Sequence, residues 1–268
     1  MKKVLFTAVV LLLLGAFGVS AFMVGNYLID GKKQADRYNE LSEIAANAQT
    51  GAAETTEATD AAEETTEATK STEITEPEML PGYKDIYEMN NHVVGWIKME
   101  GTPMDYPVMQ TPEEPNFYLY RNFDKKDSAR GSIYAREVCD INEPSDNITL
   151  YGHNMADGSM FATLNNYIYE RNWENNSLIF FDTLYEYHTY KIFAVFKTSA
   201  NIGEGFSYHQ FVDAADEEEF NEFVSTCKKL AFYDTGITPV YGDKLLCLST
   251  CEYTLDNGRL VVAAVRIT

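Results

Sequence analysis

Among four cysteines and four histidines, one of each closes an extended segment. Cys251 ends the apolar run Lys244-Leu-Leu-Cys-Leu-Ser-Thr-Cys251, and His153 ends Asn147-Ile-Thr-Leu-Tyr-Gly-His153. A thiol attacks as its thiolate. Its unperturbed pKa is about 8.5, so nucleophilic work requires a base or an imidazolium nearby. After Cys251 come Glu252-Tyr-Thr-Leu-Asp-Asn-Gly258, with a turn signal at Asp256-Asn257-Gly258, and then Arg259-Leu-Val-Val-Ala-Ala-Val-Arg-Ile267. If the two apolar runs pair as a hairpin, Cys251 ends one strand and Arg259 begins the next. Strands lie about 4.8 Å apart, which brings a guanidinium within Coulombic reach of the sulfur, or of an oxyanion forming beside it. A nucleophile, a proton carrier and a cation are the parts that acyl transfer through cysteine needs.

The remaining thiols and imidazoles read differently. Cys139, Cys227 and Cys247 are expected to pack as small inert hydrophobes. Four strand residues separate Cys247 from Cys251 by roughly 13 Å, about twice the span of a disulfide. No Cys-x-x-Cys pair and no His-x3–5-His spacing occurs, so neither a metal site nor another cofactor is expected. His92 and His209 sit in polar, loop-like surroundings, and His188 begins a strand beside Tyr187; all three read as structural or exposed.

The elements that must position the reactive trio are mostly extended. Segments rich in Val, Ile, Tyr and Phe, separated by Gly, Pro, Asn and Asp, predict strands at 93–99, 104–109, 131–135, 147–151, 178–182, 187–198, 244–251 and 259–267. A short helix is expected over 85–91, and helical inserts over 160–169 and 214–230. In the second insert Phe220, Phe223, Val224, Cys227 and Leu230 share one face. About eight strands with few helices imply a mainly β fold, a barrel or a sandwich, in which closure removes exposed edges. A site then belongs at strand ends and loops.

Residues 81–268 make up this folded domain; the chain before it is of another kind. After Lys2 and Lys3, Val4 to Ile29 runs 26 residues without a charge. A helix needs about 20 residues to cross a bilayer core. Val19-Ser20-Ala21 also fits a signal-peptide cleavage site, but the apolar run continues eight residues past Ala21, which favours an anchor. The lysines hold the N-terminus in the cytoplasm and send the rest outside, so residues 1–30 are expected to be a single-pass membrane anchor. Residues 31–80 read as a helical stalk followed by a Thr/Ala/Glu spacer. The spacer repeats Glu54-Thr-Thr-Glu-Ala-Thr59 as Glu64-Thr-Thr-Glu-Ala-Thr69, too short a period for a stacked repeat fold. With 21 Lys and Arg against 41 Asp and Glu, the net charge of −20 argues against nucleic acid as a partner.

These motifs resemble the sortases, and class B in particular. Tyr151-Gly-His-Asn-Met155, followed by Asp157-Gly-Ser-Met-Phe161, is similar to the class B histidine segment. Leu248-Ser-Thr-Cys251 is similar to the family signature Thr-Leu-x-Thr-Cys, with Cys247 in place of the usual Thr, and Arg259 falls where the family has its essential arginine. Tyr106-Pro-Val108, Gln110 and Gly131-Ser-Ile133 extend the likeness upstream, so that it covers roughly 86–267. The resemblance implies a closed sortase-type β-barrel and transpeptidation at His153, Cys251 and Arg259. It also implies a peptide groove lined by Asn116, Leu119, Tyr151, Ser249, Thr250 and Glu252. The donor would be an Asn-Pro-x-Thr-like sorting signal of a secreted surface protein, and the acceptor an amine of a cell-wall precursor or a pilin.

Two other readings remain open from the residues. A papain-like peptidoglycan hydrolase also pairs Cys with His, but it places Cys first in sequence and seats it at a helix start. A tethered, non-catalytic surface binding module would use its cysteines only for packing.

Overall fold

The computed structural model describes residues 2–56, 77–201 and 203–268. It forms two compact units, Met1–Glu40 and Leu41–Thr268. Most of the Thr/Ala/Glu spacer and of its hexamer echo lies outside the described residues. Helix α1 (Lys2–Thr56) contains, from Leu5 to Ala46, a stretch long and apolar enough to cross a membrane. Along it Leu5, Phe6, Leu12, Phe17 and Phe22 are exposed, a pattern that water disfavours and lipid would accept.

The second unit is a barrel of eight strands: β1 (Val93–Lys98), β2 (Asp105–Met109), β3 (Ile133–Ala135), β4 (Asn147–Tyr151), β5 (Leu178–Thr183), β6 (Thr189–Ser199), β7 (Leu245–Glu252) and β8 (Gly258–Arg266). They close in the order β1-β2-β3-β4-β7-β8-β6-β5. Two neighbouring pairs, β2 with β3 and β4 with β7, are parallel, and the rest are antiparallel. Closure leaves no open edge and selects the barrel over the sandwich. Ile97, Val108, Ile148, Leu150, Leu246, Leu248 and Val262 are fully or almost fully buried.

The helices show where periodicity misled. Helix α2 (Pro81–Met89) starts four residues before the predicted 85, because Pro81 is suited to the first turn. The insert at 160–169 is a 3-10 helix, Phe161–Ile168, followed by the short α3 (Glu170–Asn175). Its buried apolar residues Phe161, Leu164 and Tyr167 recur every three positions, the 3-10 period rather than 3.6. Helix α4 (Glu217–Leu230) begins after 214 because the Asp216 carboxylate accepts from Glu219 N at 3.0 Å and caps it there. Phe220, Phe223, Val224 and Cys227 are buried as expected, whereas Leu230, in the fraying last turn, is exposed.

Candidate active site

Two strand pairings assemble the site. In the parallel pair, Tyr151 of β4 lies opposite Ser249 of β7, so both strands leave the sheet at the same end. The pairing continues past Tyr151. Gly152 N donates to Ser249 O at 3.2 Å, Thr250 Oγ1 donates to Gly152 O at 2.7 Å, and Asn154 Nδ2 donates to Cys251 O at 2.9 Å. His153 is thus held beside Cys251, although Gly152 and Thr250 are 98 residues apart in sequence. Glycine at 152 is needed for space: a Cβ there would stand 2.5 Å from Ile133 Cδ1 and 2.7 Å from Phe161 Cγ.

The second pairing is the expected hairpin. Cys251 and Arg259 are direct partners across β7 and β8, which puts their side chains on one face of the sheet. Strand alternation places Tyr134, Tyr151, Ser249 and Val261 in one cross-strand row of that face. One row further from Cys251 stand Thr149, Cys247 and Ala263, with Arg136 N donating to Thr149 O at the end of β3. Around Cys247 the face is covered by Tyr208, Phe220, Phe223 and Cys227. Toward Cys251 it opens into a cavity of about 360 Å³.

His153, Cys251 and Arg259 all line this cavity. The His153 ring lies 5.5 Å from that of Tyr120, and Nε2–H donates to Leu119 O at 2.7 Å. A carbonyl can only accept, so this bond puts the proton on Nε2 of the neutral ring and makes Nδ1 the basic nitrogen. Arg259 Nη1 donates to Asn257 O at 3.2 Å and to Gly258 O at 2.9 Å, which tethers the guanidinium to the β7–β8 turn. The four thiols are free, but only Cys251 is partly exposed. Burial pushes the thiols of Cys139, Cys227 and Cys247 up, away from thiolate.

Asn116, Leu119, Tyr151, Ser249 and Thr250 line the same cavity. Asn116, in a left-handed conformation at φ 62°, accepts from Tyr134 OH at 3.1 Å, and the Tyr134 and Tyr151 rings lie 5.4 Å apart. Ser249 Oγ and Tyr208 OH share a 2.6 Å hydrogen bond. Glu252 stands outside the lining. Its buried carboxylate accepts from Lys197 Nζ at 2.8 Å, Thr254 Oγ1 at 2.6 Å, and the amides of Thr254 and Leu255. These donors hold its pKa down at about 2 against the cost of burial. That carboxylate is spent on the turn that places Arg259.

The sequence reading did not anticipate four further lining residues, Tyr134, Arg136, Glu137 and His209. His209 had read as a structural or exposed loop residue. It follows the 3-10 turn's Tyr208, whose anchorage on Ser249 brings the loop to the cavity. Burial lowers the His209 pKa, and the Arg136 and Arg259 charges lower it further, which keeps the ring neutral near pH 7.

Residues 97–267 match the Sortase domain family. The chain belongs to the sortase family. It is 27% identical over 186 residues to Sortase B of Staphylococcus aureus, covering 69% of this chain and 74% of that one. To Sortase B of Listeria monocytogenes it is 26% identical over 270 residues, 100% of this chain and 98% of that one. Its structure is similar to a Staphylococcus aureus sortase B–substrate complex, with TM-score 0.65 and 28% identity over 71% of this chain and 86% of that one. This sortase is a cysteine transpeptidase of the B type, with the closed barrel that the resemblance implied. That excludes the papain-like and non-catalytic readings.

Proposed function

We propose that this sortase cleaves an Asn-Pro-x-Thr-like sorting signal after Thr and joins the acyl part to an amine through a thioester on Cys251. The observation that carries the reading is the shared cavity of His153, Cys251 and Arg259, with Cys251 and Arg259 directly opposed. Cys251 Sγ, as thiolate, attacks the Thr carbonyl carbon. The C–N bond breaks, and protonated His153 delivers its proton to the departing amine. The incoming amine of a cell-wall precursor or a pilin then attacks the thioester. His153 takes up the amine's proton, and the C–S bond breaks to regenerate the thiolate. Arg259 faces the oxyanion of both tetrahedral intermediates. Asn116, Leu119, Tyr151, Ser249 and Thr250 hold the donor peptide, while Glu252 serves by shaping the turn beneath Arg259.

The apolar stretch of α1 fits the same task. As a single-pass anchor with its N-terminus cytoplasmic, it would keep the barrel on the outer face, where secreted donors emerge. Incubating the full chain in detergent with a sorting peptide, with and without an acceptor amine, tests the reaction. The expected result is a covalent adduct at Cys251 by mass spectrometry that converts to ligated product only with the amine. Equal release of free acid in both samples overturns the proposal.

A further inference from the structure

We propose that Arg136 makes this sortase selective for a donor peptide with a carboxylate side chain at the fifth residue, the one before the Asn of the sorting signal, counting the Thr before the cleaved bond as the first. The inference rests on the donor reading above and concerns the far end of the same cavity. Arg136 lines that cavity with Cys251. Its backbone stands two cross-strand rows from the His153–Cys251 level, a spacing of roughly 13 Å at about 3.3 Å per strand residue. An extended peptide spans that distance in about four residues, which counts from the Thr to the fifth. The half of the donor that stays bound through both steps is the N-terminal one, so it is the flank that the cavity must hold.

The charge of the cavity favours an anion there. In a chain of net charge −20, its lining holds Arg136 and Arg259 against the single carboxylate of Glu137. Among the described residues, no carboxylate lies within ion-pairing distance of Arg136. Its Nη1 donates to His209 O, which uses one of five N–H donors. The backbone of Arg136 is pinned: its carbonyl accepts from Gln110 Nε2 at 2.9 Å, and the same amide donates to Cys139 O at 2.8 Å. His209, neutral near pH 7, neither competes for the anion nor repels the guanidinium. A fixed, planar cation without an ion-pair partner in a partly desolvated wall is suited to recognising a carboxylate by paired hydrogen bonds.

The test compares kcat/KM of the full chain in detergent for sorting peptides matched except for Glu or Gln at the fifth position. We expect the Glu peptide to be favoured about tenfold or more over the Gln peptide, as for a charged hydrogen bond. Arg136→Gln should abolish the preference, Arg136→Lys should restore part of it, and Glu137→Gln should increase it. A ratio of two peptides on one sample is insensitive to the fraction folded, so a partly misfolded variant still gives an answer. Equal use of acidic and amide peptides by the unmodified chain, or a preference that survives Arg136→Gln, overturns the proposal. Failure of the donor reading would look different: no peptide of either kind would form an adduct on Cys251.

Discussion

Two cavities of the barrel are of nearly the same size, and their chemistry separates them. One, of about 360 Å³, holds His153, Cys251 and Arg259; the other, of about 390 Å³, is walled by Tyr83, Trp96, Asp105, Asp182 and His188. In the second, the polar groups are already matched. Tyr83 OH donates to Asp182 at 2.6 Å, His188 N donates to the same carboxylate at 3.3 Å, and Asp105 accepts from Trp96 Nε1 at 2.6 Å and from Ser42 Oγ at 2.8 Å. Burial raises the Asp182 pKa, and its two donors counter the shift. This is a polar network that ties elements together. In the first cavity the hydrogen bonds fix how the groups are held, through Leu119 O, Asn257 O and Gly258 O, and leave a partly exposed sulfur beside an imidazole. Volume alone would not have told one from the other.

Strand β7 makes the same contrast over four residues. Cys247 and Cys251 project from the same face, yet Cys247 is fully buried against the α4 cluster and its pKa is pushed up. The sharpest test is therefore Cys251→Ala, which should remove detectable acyl-enzyme with the melting temperature almost unchanged. Cys247→Ala should keep adduct formation at Cys251 and lose about 1 kcal/mol of stability. An adduct that persists in Cys251→Ala, by mass spectrometry, would break the contrast.

Arg259→Lys comes next in size. It preserves the charge but loses the planar fork held by the turn carbonyls, so kcat/KM should fall about 10²- to 10³-fold, the scale of a lost oxyanion donor. Near-normal turnover would remove the guanidinium from the reaction. Asp105→Ala attacks the other cavity instead. It strands Trp96 Nε1 and Ser42 Oγ and should cost about 1–3 kcal/mol in denaturant unfolding, with transfer activity per folded molecule unchanged. Lost activity at intact stability would tie the two cavities together functionally.

Glu252→Gln leaves the reaction itself alone and acts only on stability. The folded-state pKa of Glu252 is held down at about 2, below the ordinary value of 4.5, so ionised Glu252 stabilises the fold above about pH 4.5. That contribution is lost as pH falls from about 4.5 to about 2. Melting curves should show Glu252→Gln less stable by about 1–2 kcal/mol at pH 7 and close to the unmodified chain at pH 2. A gap that stays constant with pH would mean that the loss does not come from the charge.

Local signals in the sequence located all eight strands to within a few residues, because alternation, β-branched and aromatic side chains and turn residues act over short range. They were weakest where two periods compete. Phe161, Leu164 and Tyr167 fit a helical face, but only packing selected the three-residue period. Glu252, next to Cys251 in sequence, looked like a groove residue until Lys197 and the turn amides claimed its carboxylate. Arg136 and His209 carried no motif, since their place in the cavity depends on β3 lying beside β4 and on the Tyr208–Ser249 bond.

By itself, the sequence determined the apolar N-terminal stretch, the strand pattern and the opposition of Cys251 to Arg259, a hairpin relation closed by a nearby turn. The tertiary structure decided that His153 meets them. Parallel pairing of β4 with β7 cannot be made by a tight turn, and it becomes favourable only when a closed sheet buries both strands. It also decided which side chains wall the cavity, because membership depends on register across four strands rather than on any neighbour in the chain.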